Sequence, residues 1–154
     1  MKEELIGLIA EIEKELQNLE ELSKELKRMK PEREIIFKRA KGSALHDFYN
    51  CCERVFKKVA IELNGGYEET EKWHKSLLYR MTIPIAGLRP RVISDELAAE
   101  LEEFMAFRHL FRNIYGFELK GGRIDYLVEK FEAVAGSFKK EIGEFLDLIK
   151  KEVL

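Results

Sequence analysis

The side chains best suited to chemistry lie together in residues 107–116, which read Phe-Arg-His-Leu-Phe-Arg-Asn-Ile-Tyr-Gly. Arginine binds phosphate, histidine transfers protons, asparagine forms hydrogen bonds and tyrosine accepts covalent modification. Arg108, Arg112 and Tyr115 are spaced i, i+4 and i+7, so a helix would place all three on one face. We therefore treat this stretch as the candidate functional site.

Two further features of the same predicted helix bear on that site. His109 and Asn113 share the neighbouring face, one turn apart. The face that carries Arg108 and Arg112 is apolar in the preceding turns of the helix. Such a change from apolar to cationic residues along one face indicates that the face is buried in the core at one end and lines a site at the other. Those preceding turns carry Leu97, Leu101 and Phe104. In the simpler alternative, both arginines pair with carboxylates of a neighbouring helix, while His109 and Tyr115 pack at the edge of the core.

The stretch resembles the signature of the HepT-like ribonuclease toxins, a group within the HEPN superfamily. That signature is Arg-x-x-x-x-His-x-Tyr near the end of a core helix, and it aligns with Arg108, Asn113 and Tyr115. The arginine and the tyrosine match, whereas asparagine replaces the expected histidine. The similarity covers most of residues 33–135. Three other segments resemble the same group in the same order: Leu45–Tyr49, Trp73–Leu78 and Tyr115–Leu119.

The resemblance implies the toxin component of a toxin–antitoxin pair, acting as a metal-independent endoribonuclease in a homodimer. It implies that Arg108 and Asn113 belong to a catalytic site in a cleft between protomers. From the spacing we add His109 to that catalytic site, and we expect Arg108 and Arg112 to bind the RNA phosphate. The resemblance also implies a partner, an antitoxin of the minimal nucleotidyltransferase type, that adds AMP to Tyr115. We expect no metal and no cofactor.

The departure from the signature at Asn113 bears directly on activity. An imidazole takes a proton from the attacking ribose 2′-hydroxyl, whereas an asparagine side chain only forms hydrogen bonds. His109 lies one turn earlier on the same face, about 6 Å along the axis, and is the candidate substitute. Two alternatives stay open. The chain is either a catalytically weak or inactive HEPN interaction module that binds RNA, nucleotide or antitoxin without cleavage, or a structural bundle that binds no nucleic acid.

Composition places the chain among cytoplasmic proteins with one domain. It has 154 residues, a net charge of −2, and no apolar run long enough for a membrane span. The N-terminus lacks the basic-then-apolar pattern of a signal peptide. The adjacent Cys51 and Cys52 are expected to be reduced, and no group of residues has metal-ligand spacing.

The charge is unevenly distributed along the sequence. Residues 1–34 hold seven Lys/Arg and ten Asp/Glu, whereas residues 35–64 hold six and three. The overall charge argues against a generally cationic nucleic-acid coat. A local basic cleft on an acidic body is compatible with these numbers.

Apolar residues at helical spacing predict an all-α, antiparallel HEPN-like bundle of about five helices in a single domain, residues 1–154. A long N-terminal helix would occupy residues 1–30, and residues 31–154 would form the core, with the motif helix at about 95–116. The predicted helices are 2–29, 31–63, 70–81, 94–116 and 123–152. Thr70 and Ser94 are the predicted N-caps of the third and fourth helices.

Several other residues receive structural predictions. His46, Tyr49 and Asn50 lie on one side of the second helix, from which they could reach a site, whereas His74 is expected at the surface or at an edge. We expect Arg89 and Arg91 to be solvated in the loop at 82–93, although contact with RNA or a partner is an alternative. Gly121 and Gly122 are expected to end a turn, and Gly136 and Gly143 to admit a neighbouring helix.

Overall fold

The computed structural model describes residues 2–28, 34–113 and 121–153, and within them the fold is all-α. The predicted Tyr115 site and the predicted helix start at Pro31 lie outside these residues. The five helices confirm the predicted bundle. They are α1 (Lys2–Arg28), α2 (Glu34–Leu63), α3 (Trp73–Arg80), α4 (Asp95–Asn113) and α5 (Gly121–Val153).

Helix α2 contacts each of the other four helices. At its centre, Phe48 makes edge-to-face contacts with Phe104 of α4 and with Phe131 of α5, in both cases with ring centroids 5.1 Å apart. Such pairs add directional attraction to the burial of apolar area. The packing holds α4 against α2 and thereby sets the position of the chemistry-bearing end of α4.

The C-terminal half of α4 also packs closely against the N-terminal half of α2. A Cβ added to Gly42 would lie 2.8 Å from Cε2 of Phe111, closer than real Cβ contacts. The Phe111 ring stacks on Phe107, with centroids 5.8 Å apart, so it is held from both sides. The close approach expected from glycine therefore occurs at Gly42. It does not occur at Gly136 or Gly143, where a Cβ would have no described atom within 4 Å.

The helix ends support one predicted cap and contradict another. The Ser94 hydroxyl accepts a hydrogen bond from the Leu97 N–H at 3.1 Å and donates to Glu141 of α5 at 3.0 Å. Thr70 does not cap α3. The residue before α3 is Lys72, which is left-handed with φ 63° and forms no side-chain cap.

A further prediction was wrong. Gly121 and Gly122 lie inside the first turn of α5 instead of ending a turn. Near the start of α2, the apolar Ile36 is 65% exposed.

The loop at 82–93 is held by a buried arginine. Arg89 is 5% exposed, and its guanidinium donates to Asn64 Oδ1 at 2.7 Å and to the carbonyls of Arg80 and Ile83. Those carbonyls lie at and just beyond the C-terminal end of α3, where unpaired acceptors need donors. The prediction of a solvated Arg89 was therefore wrong, whereas Arg91 is exposed as expected.

Three further observations concern membrane spans, metal-binding groups and the two cysteines. No helix in the described ranges is long and apolar enough to span a membrane. Within those same ranges, no group of three or more His, Cys, Asp or Glu residues is arranged to hold a metal ion. Cys51 and Cys52 are buried and unpaired, and burial raises the pKa of the Cys51 thiol to about 12.

Candidate functional site

Arg108 is the centre of a buried polar network between α2 and α4. It is 4% exposed, and its two terminal nitrogens donate to the two carboxylate oxygens of Glu53, each at 3.0 Å. Nη1 also donates to Asn50 Oδ1 at 2.9 Å, and the guanidinium carbon lies 4.8 Å from the centre of the Tyr49 ring. This bidentate geometry is the strongest arrangement for an arginine–carboxylate pair.

The same network keeps Glu53 ionised. Burial alone raises the pKa of this carboxyl group, but hydrogen bonds from Arg108 and His74 outweigh that effect and hold it below the ordinary value. Lys57 lies near Oε1 of the same Glu53 carboxylate, and 3.8 Å separate its Nζ from that oxygen. The buried negative charge is therefore matched by cations on two sides.

His74 joins the network from α3. Its Nδ1 lies 2.8 Å from Glu53 Oε2, which also accepts from Arg108 Nη2 at 3.0 Å. An ionised carboxylate only accepts hydrogen bonds, so Nδ1 carries a proton and donates it. The 3.0 Å between His74 Nδ1 and Arg108 Nη2 then separates two donors that share one acceptor.

His46 occupies the opposite edge of the network and has the other tautomer. Because Arg108 donates to Asn50 Oδ1, the Asn50 amide turns its Nδ2 towards His46 Nδ1, at 3.2 Å. Nδ2 only donates, so Nδ1 of His46 accepts, and a neutral His46 carries its proton on Nε2. That Nε2 is buried and has no hydrogen-bond partner among the residues that the structure describes.

Burial lowers the pKa of His46 and so favours the neutral form. Hydrogen bonding and charge at Asp47 oppose this effect, whereas the positive charges of Arg112 and Arg108 reinforce it. His46 and His74 are thus held in opposite tautomers. Arg108 donates to both Asn50 and Glu53, and Asn50 then orients His46 while Glu53 orients His74.

The remaining motif residues lie at the exposed end of α4. His109, Arg112 and Asn113 are all exposed, and Arg112 forms no ion pair with the residues the structure describes. The Asn113 Nδ2 donates to the His109 carbonyl at 2.7 Å, so this amide is tied to its own helix. Because His109 follows Glu102 by about two turns, it lies on the side of α4 that faces α3. Glu102 accepts hydrogen bonds from Tyr79 on α3.

The structure thus separates the predicted site residues into two groups. Arg108 is buried and paired with a carboxylate, as in the simpler alternative considered for the arginines. Among the residues that the structure describes, His109, Arg112 and Asn113 form an exposed corner at the end of α4, just beyond Arg108, which we call the open corner; Tyr115 lies outside those residues.

Sequence reasoning missed Glu53 and underrated His74. Glu53 follows Asn50 by three residues and His46 by seven, so it shares their side of α2, and this register was the available indication. The contribution of His74 depends on how α3 approaches α2, which no local pattern reveals.

Comparison with known proteins gives one result. A family model described as HepT-like protein matches residues 40–149, which is more than half of the chain. The matched region begins in α2 and ends in α5, so it contains the whole buried network and the open corner. No curated protein and no solved structure matches the chain.

Proposed function

Because the chain belongs to the HepT-like family of the HEPN superfamily, we propose that it is the toxin of a toxin–antitoxin pair and a metal-independent endoribonuclease. The observation that supports this most strongly is the open corner. There, α4 exposes Arg112, His109 and Asn113 directly beside the buried Arg108–Glu53 pair. These side chains have the chemistry to bind a phosphodiester and to donate hydrogen bonds to it.

The roles within this site follow from burial. Arg112 is exposed and without a carboxylate partner among the described residues, so it binds the RNA phosphate. Arg108 shares the catalytic site with His109 and Asn113. Since Glu53 balances the charge of Arg108, this arginine supports the phosphate site from the buried side of α4. Among the described residues, the Asn113 side chain is bonded only through Nδ2, so its Oδ1 is left for the substrate.

Cleavage of labelled single-stranded RNA, with and without EDTA, tests the proposal. Wild-type protein should cut in both conditions, and Arg112→Ala should cut more slowly. Asn113→His restores the family signature and should increase the rate. RNA that stays intact in both conditions, with wild type and with Asn113→His, would rule out the nuclease.

A second function is favoured by a specific observation. Arg108 is fully occupied by Glu53 and Asn50, and Asn113 provides no proton acceptor. A HEPN module that binds RNA, nucleotide or antitoxin without cutting would have this geometry. Retained RNA binding without cleavage, in wild type and in Asn113→His, would identify this second function.

The partners are proposed from the family and from charge. A homodimer that joins two open corners would create a shared cleft for RNA, and light scattering at micromolar concentration tests it. A nucleotidyltransferase antitoxin would add AMP to Tyr115, three residues after the exposed Arg112, and the added phosphate would pair with that arginine. Intact mass after incubation with the antitoxin, ATP and magnesium should rise by one adenylate in wild type and not in Tyr115→Phe.

A further inference from the structure

The tautomer of His74 has a chemical consequence. Since Nδ1 carries the proton that Glu53 accepts at 2.8 Å, a neutral His74 has a free lone pair on Nε2. The side chain is 37% exposed, so part of the ring reaches solvent. A buried carboxylate that holds an imidazole in this way also stabilises the imidazolium formed when Nε2 takes up a proton.

The position of His74 suits the proposed substrate. It is the second residue of α3 and contacts the network at Arg108, one turn before Arg112 on α4. His109 lies on the side of α4 that faces α3, as described above. His74 therefore contacts the arginine that precedes Arg112 by one helical turn, and Arg112 is where an RNA phosphate would bind.

The other two histidines of the chain are less suited to accept a proton. The Nε2 of His46 already carries a proton, and its Nδ1 accepts a hydrogen bond from Asn50. His109 is exposed, and no carboxylate of the described residues orients its ring. Of the three imidazoles, only His74 has both a fixed donor nitrogen and a free acceptor nitrogen.

We propose that His74 is the general base of RNA cleavage in this protein, with Glu53 as its positioning residue. This inference rests on the proposed ribonuclease function. It supplies the imidazole that the motif lacks at Asn113, and it takes that imidazole from a different helix.

The step balances as an internal transesterification. The Nε2 of His74 takes the proton of the ribose 2′-hydroxyl, and the 2′-oxygen forms a bond to phosphorus. The bond from phosphorus to the 5′-oxygen breaks, and that oxygen takes a proton from water. The products are a 2′,3′-cyclic phosphate and a 5′-hydroxyl, and the imidazolium returns its proton to solvent. Arg112 stabilises the charge that grows on the phosphate oxygens.

A His74→Asn variant of the full-length protein tests the base directly. The asparagine Nδ2 takes the place of Nδ1 and keeps the hydrogen bond to Glu53, while the Nε2 base is lost. Cleavage of single-stranded RNA in EDTA should fall by about 100-fold or more, the lower end of what a general base contributes. RNA binding and the urea midpoint should stay unchanged, and free imidazole should restore part of the rate.

The pH profile gives a second readout. The dependence of the cleavage rate on pH should differ between wild type and His74→Asn, because the variant has no imidazole at this position. The charged groups that contact His74 are Glu53 of α2 and Arg108 of α4, and Lys57 of α2 lies 3.8 Å from the other Glu53 oxygen. A Lys58→Ala variant, which removes a partly exposed side chain that is paired with Glu11 outside the site, should keep the wild-type pH profile.

Each outcome supports or overturns a defined statement. Wild-type protein that does not cut RNA overturns the ribonuclease function, and the assignment of His74 with it. If wild type cuts and His74→Asn cuts equally fast, only the assignment of His74 is overturned. A variant that loses cleavage through loss of RNA binding or folding, without rescue by imidazole, gives His74 a structural role and also overturns it.

Discussion

Arg108 of α4 and Glu53 of α2 form a bidentate ion pair in which both side chains are about 5% exposed. The pair connects the helix that carries the motif to the helix that contacts all others. Removing one member would leave the other buried and uncompensated, which is far more costly than the pair itself is stabilising.

Arg108→Ala should therefore lower the free energy of unfolding by about 3–5 kcal/mol, measured by urea denaturation. The paired replacement Arg108→Met with Glu53→Leu should recover most of that loss, since it leaves no unpaired charge. Lys58→Ala is the control, because it breaks an exposed ion pair to Glu11 and should cost less than about 1 kcal/mol. A cost for Arg108→Ala as small as that of the control would show that the buried pair is not formed.

Stability should fall in acid because of Glu53. Its pKa in the folded protein lies below the ordinary value of 4.5, so its ionised form adds stability above that value. The contribution is lost as the pH falls through the folded pKa. The free energy of unfolding of Glu53→Gln, measured below about pH 4.5, should therefore depend less on pH than that of wild type. Equal slopes for the two proteins would contradict the lowered pKa.

Tyr49→Phe should stabilise the protein or leave it unchanged. The Tyr49 side chain is 0% exposed, and its buried hydroxyl has no hydrogen-bond partner in the described part of the chain. Removing an unsatisfied buried hydroxyl should raise the free energy of unfolding, by roughly 1 kcal/mol. Tyr79→Phe is the matched control, since the Tyr79 hydroxyl donates to Glu102 at 2.5 Å and its removal should destabilise. Equal losses in both variants would reveal a bond at Tyr49.

Gly42→Ala should destabilise the contact between α2 and α4. The new methyl group would meet the Phe111 ring at 2.8 Å, and overpacking of this kind costs about 1–3 kcal/mol. Combining it with Phe111→Leu should recover part of the loss. Gly136→Ala in α5 meets no described atom within 4 Å and should gain roughly 0.5–1 kcal/mol from helix propensity. Two variants with the same change in stability would contradict the close approach at Gly42.

The helices could be predicted from the sequence because their apolar residues recur at helical spacing. In α5, for example, apolar residues at helical spacing from Ile124 to Ile149 are buried. Local cap rules succeeded at Ser94, which also bonds to α5. They failed at Thr70, because a left-handed Lys72 separates it from α3.

The site was harder to predict because its partners come from three helices. The spacing of Arg108 and Arg112 placed both on one face, but it could not show that one arginine is buried and the other exposed. That difference depends on Glu53, which lies 55 residues before Arg108. The same holds for His74, whose role follows from the shared carboxylate and not from its neighbours in sequence.

Binding of single-stranded RNA as a function of salt concentration tests the central claim, that the open corner at the end of α4 is the RNA site. Arg112→Ala should weaken binding and reduce the slope of log K against log salt by about 0.7, the value for one lost phosphate contact. Arg91→Ala removes an equally exposed arginine near the opposite end of α4 and should leave affinity and slope unchanged. Identical affinities and slopes for Arg112→Ala and wild type would contradict the claim.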